Sequence, residues 1–253
     1  MKIKTPPFPD KICTRPFEYF DIQNHANGKV NCYTCCPTIL PVTVGDLKRN
    51  AIDEIWNSET YNEIRESIID GSYKFCIAEL CPEIQTDNLY NKHNTRVRSI
   101  VKSKKNGVRF FNGSPKIINL SYDRTCNLAC PSCRADFITS NSEEDEQIIS
   151  KITDDILTRD LSGVTLIACS SGDPFVGTHF RRLLFTINGK NHTGLKIQIM
   201  SNGLLFNRHA WESMHKIHQN INHVSISLDA STPETYSITR KGGNWNLLMK
   251  NLE

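Results

Sequence analysis

Downstream of residue 113 the apolar positions switch repeatedly between two periods. Short apolar runs at 116–121, 164–168, 195–200 and 224–228 read as strands. Helical spacing fills the intervals. Over 143–158, Ile148, Ile149, Ile152, Ile156 and Leu157 form one apolar stripe, with Ser142 or Asn141 placed to cap it and Glu143 and Glu144 at the positive end of the dipole. Further helices are predicted over 178–187 and 207–218, and from 233 onward, continuing from Trp245. Strands alternating with helices predict a parallel α/β sheet, open or barrel-like, whose functional loops follow the carboxyl ends of the strands.

The amino-terminal part has a different grain. Cys13, Pro16 and Phe17 open it, and a strand-like segment leads to a hairpin turn at Asn27-Gly28. A helix is predicted from Asp53-Glu54-Ile55-Trp56 through Arg65 to Ile69. Residues 91–113 are rich in Lys, Arg, Asn and Ser, and the run Lys102-Ser103-Lys104-Lys105 reads as a solvated linker. The expected organisation is therefore a cysteine-rich α+β hairpin–helix domain over 1–90, a linker over 91–113 and an α/β domain over 114–253.

With 253 residues and a net charge of +3, the chain has ample core and no charge argument for nucleic acid or an anionic membrane. Its first ten residues lack the apolar stretch of a signal peptide, and no apolar run approaches membrane-spanning length. A cytoplasmic protein is the expectation. Nine of the ten cysteines fall into two groups, Cys13 to Cys81 and Cys126 to Cys133. Grouped thiols without an export signal favour metal over disulfides.

The sharpest motif is Cys126-x3-Cys130-x2-Cys133, just after the first strand of the α/β part. Three closely spaced thiolates can hold three irons of a four-iron cluster, and no fourth cysteine follows nearby. Most such clusters are closed by four thiolates, so an iron left open suggests chemistry. A zinc knuckle is the competing reading of this motif alone. Cys169 is expected to pack as a small buried hydrophobe. His215 and His218 share a helix face and read as surface.

The motif resembles the cluster loop of radical S-adenosylmethionine (SAM) enzymes, and later segments agree in order. Ser171-Gly172-Asp173-Pro174 is similar to that family's Gly-Gly-Glu-Pro motif, with Asp173 in place of the commoner Glu. Ser201-Asn202-Gly203 is similar to Thr-Asn-Gly, and Ser227-Leu228-Asp229 to a Ser-x-Asp signature. Thr235-Tyr236, Arg240, Gly242 and Gly243 resemble the stretch that follows. The resemblance implies a SAM-binding [4Fe–4S] cluster on Cys126, Cys130 and Cys133. It implies reductive cleavage of SAM to a 5′-deoxyadenosyl radical that abstracts hydrogen from a peptide, a protein side chain or a sugar-like substrate. Gly172, Asp173, Pro174, Asn202, Ser227 and Asp229 are the implied cofactor contacts, the Gly172 loop chiefly through its backbone. Arg240 could meet the cofactor's carboxylate, but a solvated helix position is the plainer expectation. A partial (β/α) TIM-like barrel follows, with about four of the family's six strand–helix units present. Because Glu253 falls inside the fourth helix, a truncated or cut-down barrel is expected. A flavodoxin or ferredoxin-type electron donor is implied as partner.

The first cysteine group resembles the SPASM or Twitch extension of the same enzymes, through its hairpin, Ile55-Trp56-Asn57-Ser58 and the closing Cys81-Pro82. It precedes the catalytic part here, where the extension usually follows it. One auxiliary [4Fe–4S] cluster on Cys13, Cys35, Cys76 and Cys81 is implied, with Cys32 or Cys36 able to replace Cys35. Four cysteines also suit tetrahedral zinc. A non-catalytic iron–sulfur or zinc protein that binds a partner is the alternative function.

Overall fold

The computed structural model describes residues 3–25, 28–105 and 113–253. The chain divides into two compact units, the first over 3–25 and 29–118, the second over 119–253. Of the hairpin turn Asn27-Gly28, Asn27 lies outside the described residues.

In the first unit, strands β1 (Lys11–Ile12), β2 (Tyr19–His25), β3 (Lys29–Tyr33), β4 (Gly45–Asp46) and β5 (Tyr90–Asn91) make two small antiparallel arrays. β2 pairs with β3 and β3 with β4, while β1 pairs with β5. The predicted helix is two. The first, Ile52–Trp56, ends at Asn57, and Ser58 starts the second, Glu59–Asp70, its Oγ accepting from the Tyr61 N–H at 3.3 Å. A serine in extended backbone satisfies an otherwise orphaned amide at a helix start, so the chain turns there instead of running through.

The segment read as a linker is also structured. Tyr90–Asn91 forms β5, and Arg98–Lys105 is helical. Val97 and Ile100 are buried with Ile12, Phe17, Ile68 and Ile84 in one core. Charge counting missed these two apolar positions, three residues apart, which is the spacing of one helix face.

Arg65 rivets this unit together. It is 3 % exposed. Its Nε donates to the Pro16 carbonyl at 2.8 Å, and its Nη1 donates to the Trp56 carbonyl at 2.8 Å and to Asn62 Oδ1 at 3.1 Å. The guanidinium also lies over the Trp56 and Tyr61 rings, 4.4 and 4.1 Å from their centroids. Burial pulls its pKa down to about 10. The helix Glu59–Asp70 is thereby fixed to the backbone three residues past Cys13.

The second unit begins within β6 (Ile117–Ser121), at Asn119, and β6, β7 (Leu166–Cys169), β8 (Lys196–Ser201) and β9 (Ile221–Ile226) lie side by side in sequence order. β7–β8 and β8–β9 are parallel. The helix Glu143–Thr158 has the predicted bounds, and the Ser142 Oγ accepts from the Asp145 N–H. β9 starts three residues before its predicted position, because Ile221 rather than Val224 begins the pairing with β8. The segment 207–218 is a short helix, Arg208–Ser213, followed by a 3₁₀ turn, His215–Asn220. His218 is stacked on Trp211 with centroids 4.0 Å apart.

The two faces of this sheet differ. Ile118, Leu120, Ile167, Cys169, Ile197 and Ile199 are each at most 1 % exposed. The helices Glu143–Thr158 and Thr178–Thr186 supply their cover through Ile149, Ile152, Ile156, Phe180, Leu183 and Leu184. Each such side chain contributes roughly 1.5–3 kcal/mol on burial. Asn119, Ser121, Ala168, Gln198, Met200, His223 and Ser225 alternate with the buried set and remain half-buried or exposed. Among the described residues no helix is long and apolar enough to cross a membrane.

Arg65→Met keeps the aliphatic stem but strands the Pro16 and Trp56 carbonyls. It is expected to lower the unfolding free energy by about 2–4 kcal/mol, measured by urea titration.

Candidate metal and cofactor centres

The three-cysteine loop is closed at its base. The Cys126 N–H donates to the Ile138 carbonyl at 2.7 Å, and the pair forms an isolated antiparallel bridge. Inside the loop, the Cys133 and Arg134 amides donate to the Cys130 carbonyl at 2.9 and 3.0 Å. That single helical turn puts Cys130 and Cys133 on one side, as three-residue spacing requires. The Ala129 amide is held by the Lys241 carbonyl at 3.0 Å.

Each sulfur receives a side-chain N–H donor. Asn202 Nδ2 donates to Cys126 Sγ at 3.7 Å, Arg240 Nη1 to Cys130 Sγ at 3.5 Å and Arg134 Nη2 to Cys133 Sγ at 3.6 Å. Cys126 and Cys130 are buried while Cys133 is exposed. Burial pushes the Cys126 thiol above its ordinary pKa, and the Leu128 amide, Arg134 and Asn202 pull the other way. Three thiols with donors aimed at sulfur, two of them cationic, fit thiolates bound to iron, whose charge such donors stabilise.

Around this loop the predicted contacts interlock. Gly172 has φ of +57°, and a Cβ there would meet the Thr125 carbonyl and come within 2.6 Å of the Asp123 carbonyl. Asp173 is fully buried, so its carboxylate is no open cofactor contact. Its Oδ2 accepts from Ser201 Oγ and from the Asn202 N–H, both at 2.8 Å, and its Oδ1 from the Phe175 N–H at 3.0 Å. Its own amide donates to the Thr125 carbonyl at 2.8 Å. Pro174 lies in the turn that the Val176 and Gly177 amides close on the Asp173 carbonyl. Asn202 spends its amide on Cys126 and on Asn127 Oδ1 at 2.8 Å, and its Oδ1 on the Leu204 N–H. The Ser227 amide donates to the Ser201 carbonyl at 2.9 Å, leaving its hydroxyl half-buried at the strand end. Asp229, at φ of +53°, pairs with Arg240 at 2.6 Å.

Arg240 corrects the solvated-helix expectation. Its side chain is 12 % exposed and bridges Asp229 and Cys130. Asp123, Thr125 and Arg134 also belong to this assembly, and sequence reasoning passed over them; Ser201, quoted in its motif without a role, is the hydroxyl donor to Asp173. Asp123-x-Thr125, polar and immediately before Cys126, was the available signal. Cys169 is 1 % exposed at the end of β7, and burial alone pushes its thiol to about 12.

In the first unit, four segments bring cysteines together. Cys13 follows β1 and Cys35 follows β3. Cys76 comes after the Tyr73 turn, and Cys81 precedes the short helix Pro82–Gln85. After burial, the dominant cause, the thiols raise one another. Cys13 is raised by Cys35, Cys76 and Cys81, and Cys76 by Cys35 and Cys81. Cys13 and Cys76 reach about 12 and Cys35 about 11, with Arg15 opposing at Cys35. Cys32 is elsewhere. It sits fully buried in β3, raised by burial and then by Asp21 and Asp46. Cys36 is exposed beside Cys35. Among the described residues, no three His, Cys, Asp or Glu side chains converge tightly enough for a single metal ion. The mutual influence of Cys13, Cys35, Cys76 and Cys81 places these four thiols within electrostatic reach of one another.

Comparison with known families adds two findings. The model of the radical SAM superfamily matches residues 120–253, more than half of the chain. A model described as SPASM, an iron–sulfur cluster-binding domain, matches residues 13–83. No curated protein matches the chain.

Gly172→Ala would force Cβ onto two carbonyls at positive φ. It is expected to cost about 1–3 kcal/mol and to lower iron retention in the second unit, read by thermal unfolding and iron assay. A second expectation concerns pH in the metal-free protein. Unfolded thiols ionise near pH 8.5, whereas folded Cys13, Cys35 and Cys76 hold their protons to about 11 or 12. The stability they contribute is whole below the unfolded value and is lost as pH rises through the folded values. Urea midpoints of metal-free protein should therefore fall steadily above pH 9. A flat profile from pH 8 to 11 would contradict the burial of these thiols.

Proposed function

The chain belongs to the radical SAM superfamily, and we propose that its substrate is a peptide segment laid over the open polar face of the second unit's sheet. It is a radical SAM enzyme with a SPASM-type iron–sulfur domain, and its cofactors are a [4Fe–4S] cluster, SAM and auxiliary iron–sulfur. When bound, cluster and SAM supply the electron and the 5′-deoxyadenosyl radical that abstracts hydrogen from substrate.

In our reading Cys126, Cys130 and Cys133 hold the SAM-binding cluster, and Asn202, Arg240 and Arg134 stabilise their charge. Gly172 and Pro174 shape the backbone that receives the cofactor, with Asp173 fixing that loop from behind. Ser227 and Asp229 face the cofactor from the end of β9. Cys13, Cys35, Cys76 and Cys81 hold the auxiliary cluster. We assign the four strand–helix units to a partial (β/α) barrel, and the enzyme to a reducing cytoplasm, because an iron open to ligand is oxygen-labile. A flavodoxin or ferredoxin-type carrier serves as electron donor.

The observation that carries the substrate class is the lining of the open face. On two successive levels, Ala168, Gln198 and His223 stand in register, then Met200 and Ser225, with Ser170 just past β7. Asn119, Ser121 and Ser170 form a closed hydrogen-bonded triad. Asn119 Nδ2 donates to Ser121 Oγ at 3.1 Å, the two hydroxyls are 2.7 Å apart, and Ser170 donates to Asn119 Oδ1 at 2.8 Å. His223 Nε2 is 2.9 Å from Ser225 Oγ. These levels carry amides and hydroxyls that match peptide groups. They carry no Arg or Lys to take a phosphate and no Phe, Tyr or Trp on which a sugar ring could stack.

Anaerobic reconstitution should load about eight irons per chain, as two four-iron clusters require, and release 5′-deoxyadenosine on reduction with SAM. Cys126→Ala, Cys130→Ala and Cys133→Ala are each expected to abolish that release, while Cys76→Ala loses only the auxiliary iron. A neutral capped hexapeptide library should accelerate release and a maltooligosaccharide should not. Acceleration by the sugar alone would overturn the peptide assignment.

A further inference from the structure

The helix Glu59–Asp70 ends at Gly71, and the chain then takes a second left-handed step at Tyr73, with φ of +49°. Bulky residues rarely adopt that backbone, and it persists only where the surroundings over-determine it. Here they do. The Tyr73 N–H donates to the Ser67 carbonyl at 2.9 Å, and the Cys76 N–H donates to the Tyr73 carbonyl at 2.9 Å. Phe8 meets the Tyr73 ring edge-on, with centroids 5.4 Å apart. Tyr73 is 1 % exposed and shares one core with Cys81, against which Cys13 and Cys76 also pack.

A tyrosine that served only as filler would leave its hydroxyl in water or on a partner. Tyr73 does neither. Its Oη is buried and, among the described residues, has no hydrogen-bond partner. The groups that bear on it belong to the cysteine cluster. After burial, which pushes its pKa up most, the Cys13 thiol raises it, the Cys13 amide opposes, and the Cys76 and Cys81 thiols raise it further. An amide only donates, so the phenol proton still lacks an acceptor. Cysteine sulfur is the acceptor that this setting offers. A buried hydroxyl left unpaired is costly, and sulfur carrying negative charge would pair it.

We propose that the Tyr73 hydroxyl donates a hydrogen bond to a sulfur of the auxiliary cluster and thereby sets that cluster's reduction potential. The inference rests on the assignment of Cys13, Cys35, Cys76 and Cys81 to that cluster. An added electron increases the negative charge on sulfur, so a donor stabilises the reduced form more than the oxidised one. Tyr73 therefore raises the potential and makes the cluster the readier electron acceptor.

The test is a redox titration of reconstituted full-length protein, followed by electron paramagnetic resonance. The second unit's cluster, identified by its loss in Cys126→Ala, is the internal reference. Tyr73→Phe keeps the ring and removes the donor. It is expected to lower the auxiliary potential by about 59 mV, a tenfold shift in a one-electron equilibrium, with iron content and the reference potential unchanged. Tyr73→3-fluorotyrosine keeps the hydroxyl, makes it a stronger donor and should move the potential the other way. Phe8→Leu alters the packing on the ring without touching the donor and should leave the potential in place. An unshifted potential in Tyr73→Phe would overturn the proposal. So would an equal fall in Phe8→Leu, because packing would then be the cause. Should Tyr73→Phe lose its iron, the sign of the fluorotyrosine shift decides alone. Full iron loading in Cys76→Ala would instead count against the auxiliary-cluster assignment itself.

Discussion

One buried carboxylate holds the second unit's functional loops together. Asp173 is fully excluded from solvent and accepts three hydrogen bonds from Phe175, Ser201 and Asn202, two of them from backbone amides. Burying an unpaired charge is expensive, and three donors are what make it tolerable. These donors come from its own turn and from the end of β8, while its amide grips Thr125 just before Cys126. Three strand ends thus share one anchor. Asn202, fixed through its backbone by Asp173, can aim its side-chain amide at Cys126. Gly172 follows from the same constraint, since the loop must approach the Asp123 and Thr125 carbonyls closer than any side chain permits.

The two cysteine centres solve the problem of grouped thiols differently. In the second unit each sulfur has its own N–H donor, and the three cysteines lie within eight residues. Local chain geometry builds most of that site. In the first unit the four converging cysteines come from four segments spread between residues 13 and 81, and burial dominates their environment. Holding them together closes long loops, so metal binding and folding are coupled there. Arg65 lessens that burden by pinning the Pro16 backbone, close to Cys13, to the main helix pair.

Much of this was legible in residue order. The stripe of isoleucines over Glu143–Thr158 and its Ser142 cap fixed both ends of that helix, because cap and periodicity agree. Where signals were single, the reading slipped. Ser58 looked like part of a helix and is the cap that starts one. Val97 and Ile100 were hidden among basic residues, and only packing reveals them as core. Arg240 shows the limit most clearly. Its sequence context is polar, and nothing local reveals that Asp229, in left-handed backbone, turns a carboxylate toward it and leaves its guanidinium on Cys130. For Asp173 the spacing located the loop but not the inward turn of its side chain, which spends its carboxylate on Phe175, Ser201 and Asn202.

The asymmetry of the parallel sheet completes the physical picture. Parallel sheets usually bury both faces and carry apolar residues on each. Here one face is apolar and helix-covered, while the other presents Asn119, Ser121, Gln198, His223 and Ser225. Filling those positions with aliphatic side chains would offer more burial, at roughly 25 cal/mol per Å². Their polar groups instead bond one another across neighbouring positions, in the Asn119–Ser121–Ser170 triad and the His223–Ser225 pair. Such pairing keeps the face ordered without closing it, because hydroxyls and amides retain spare donors and acceptors for a guest. The forgone burial is the cost that the proposed peptide-binding role would explain.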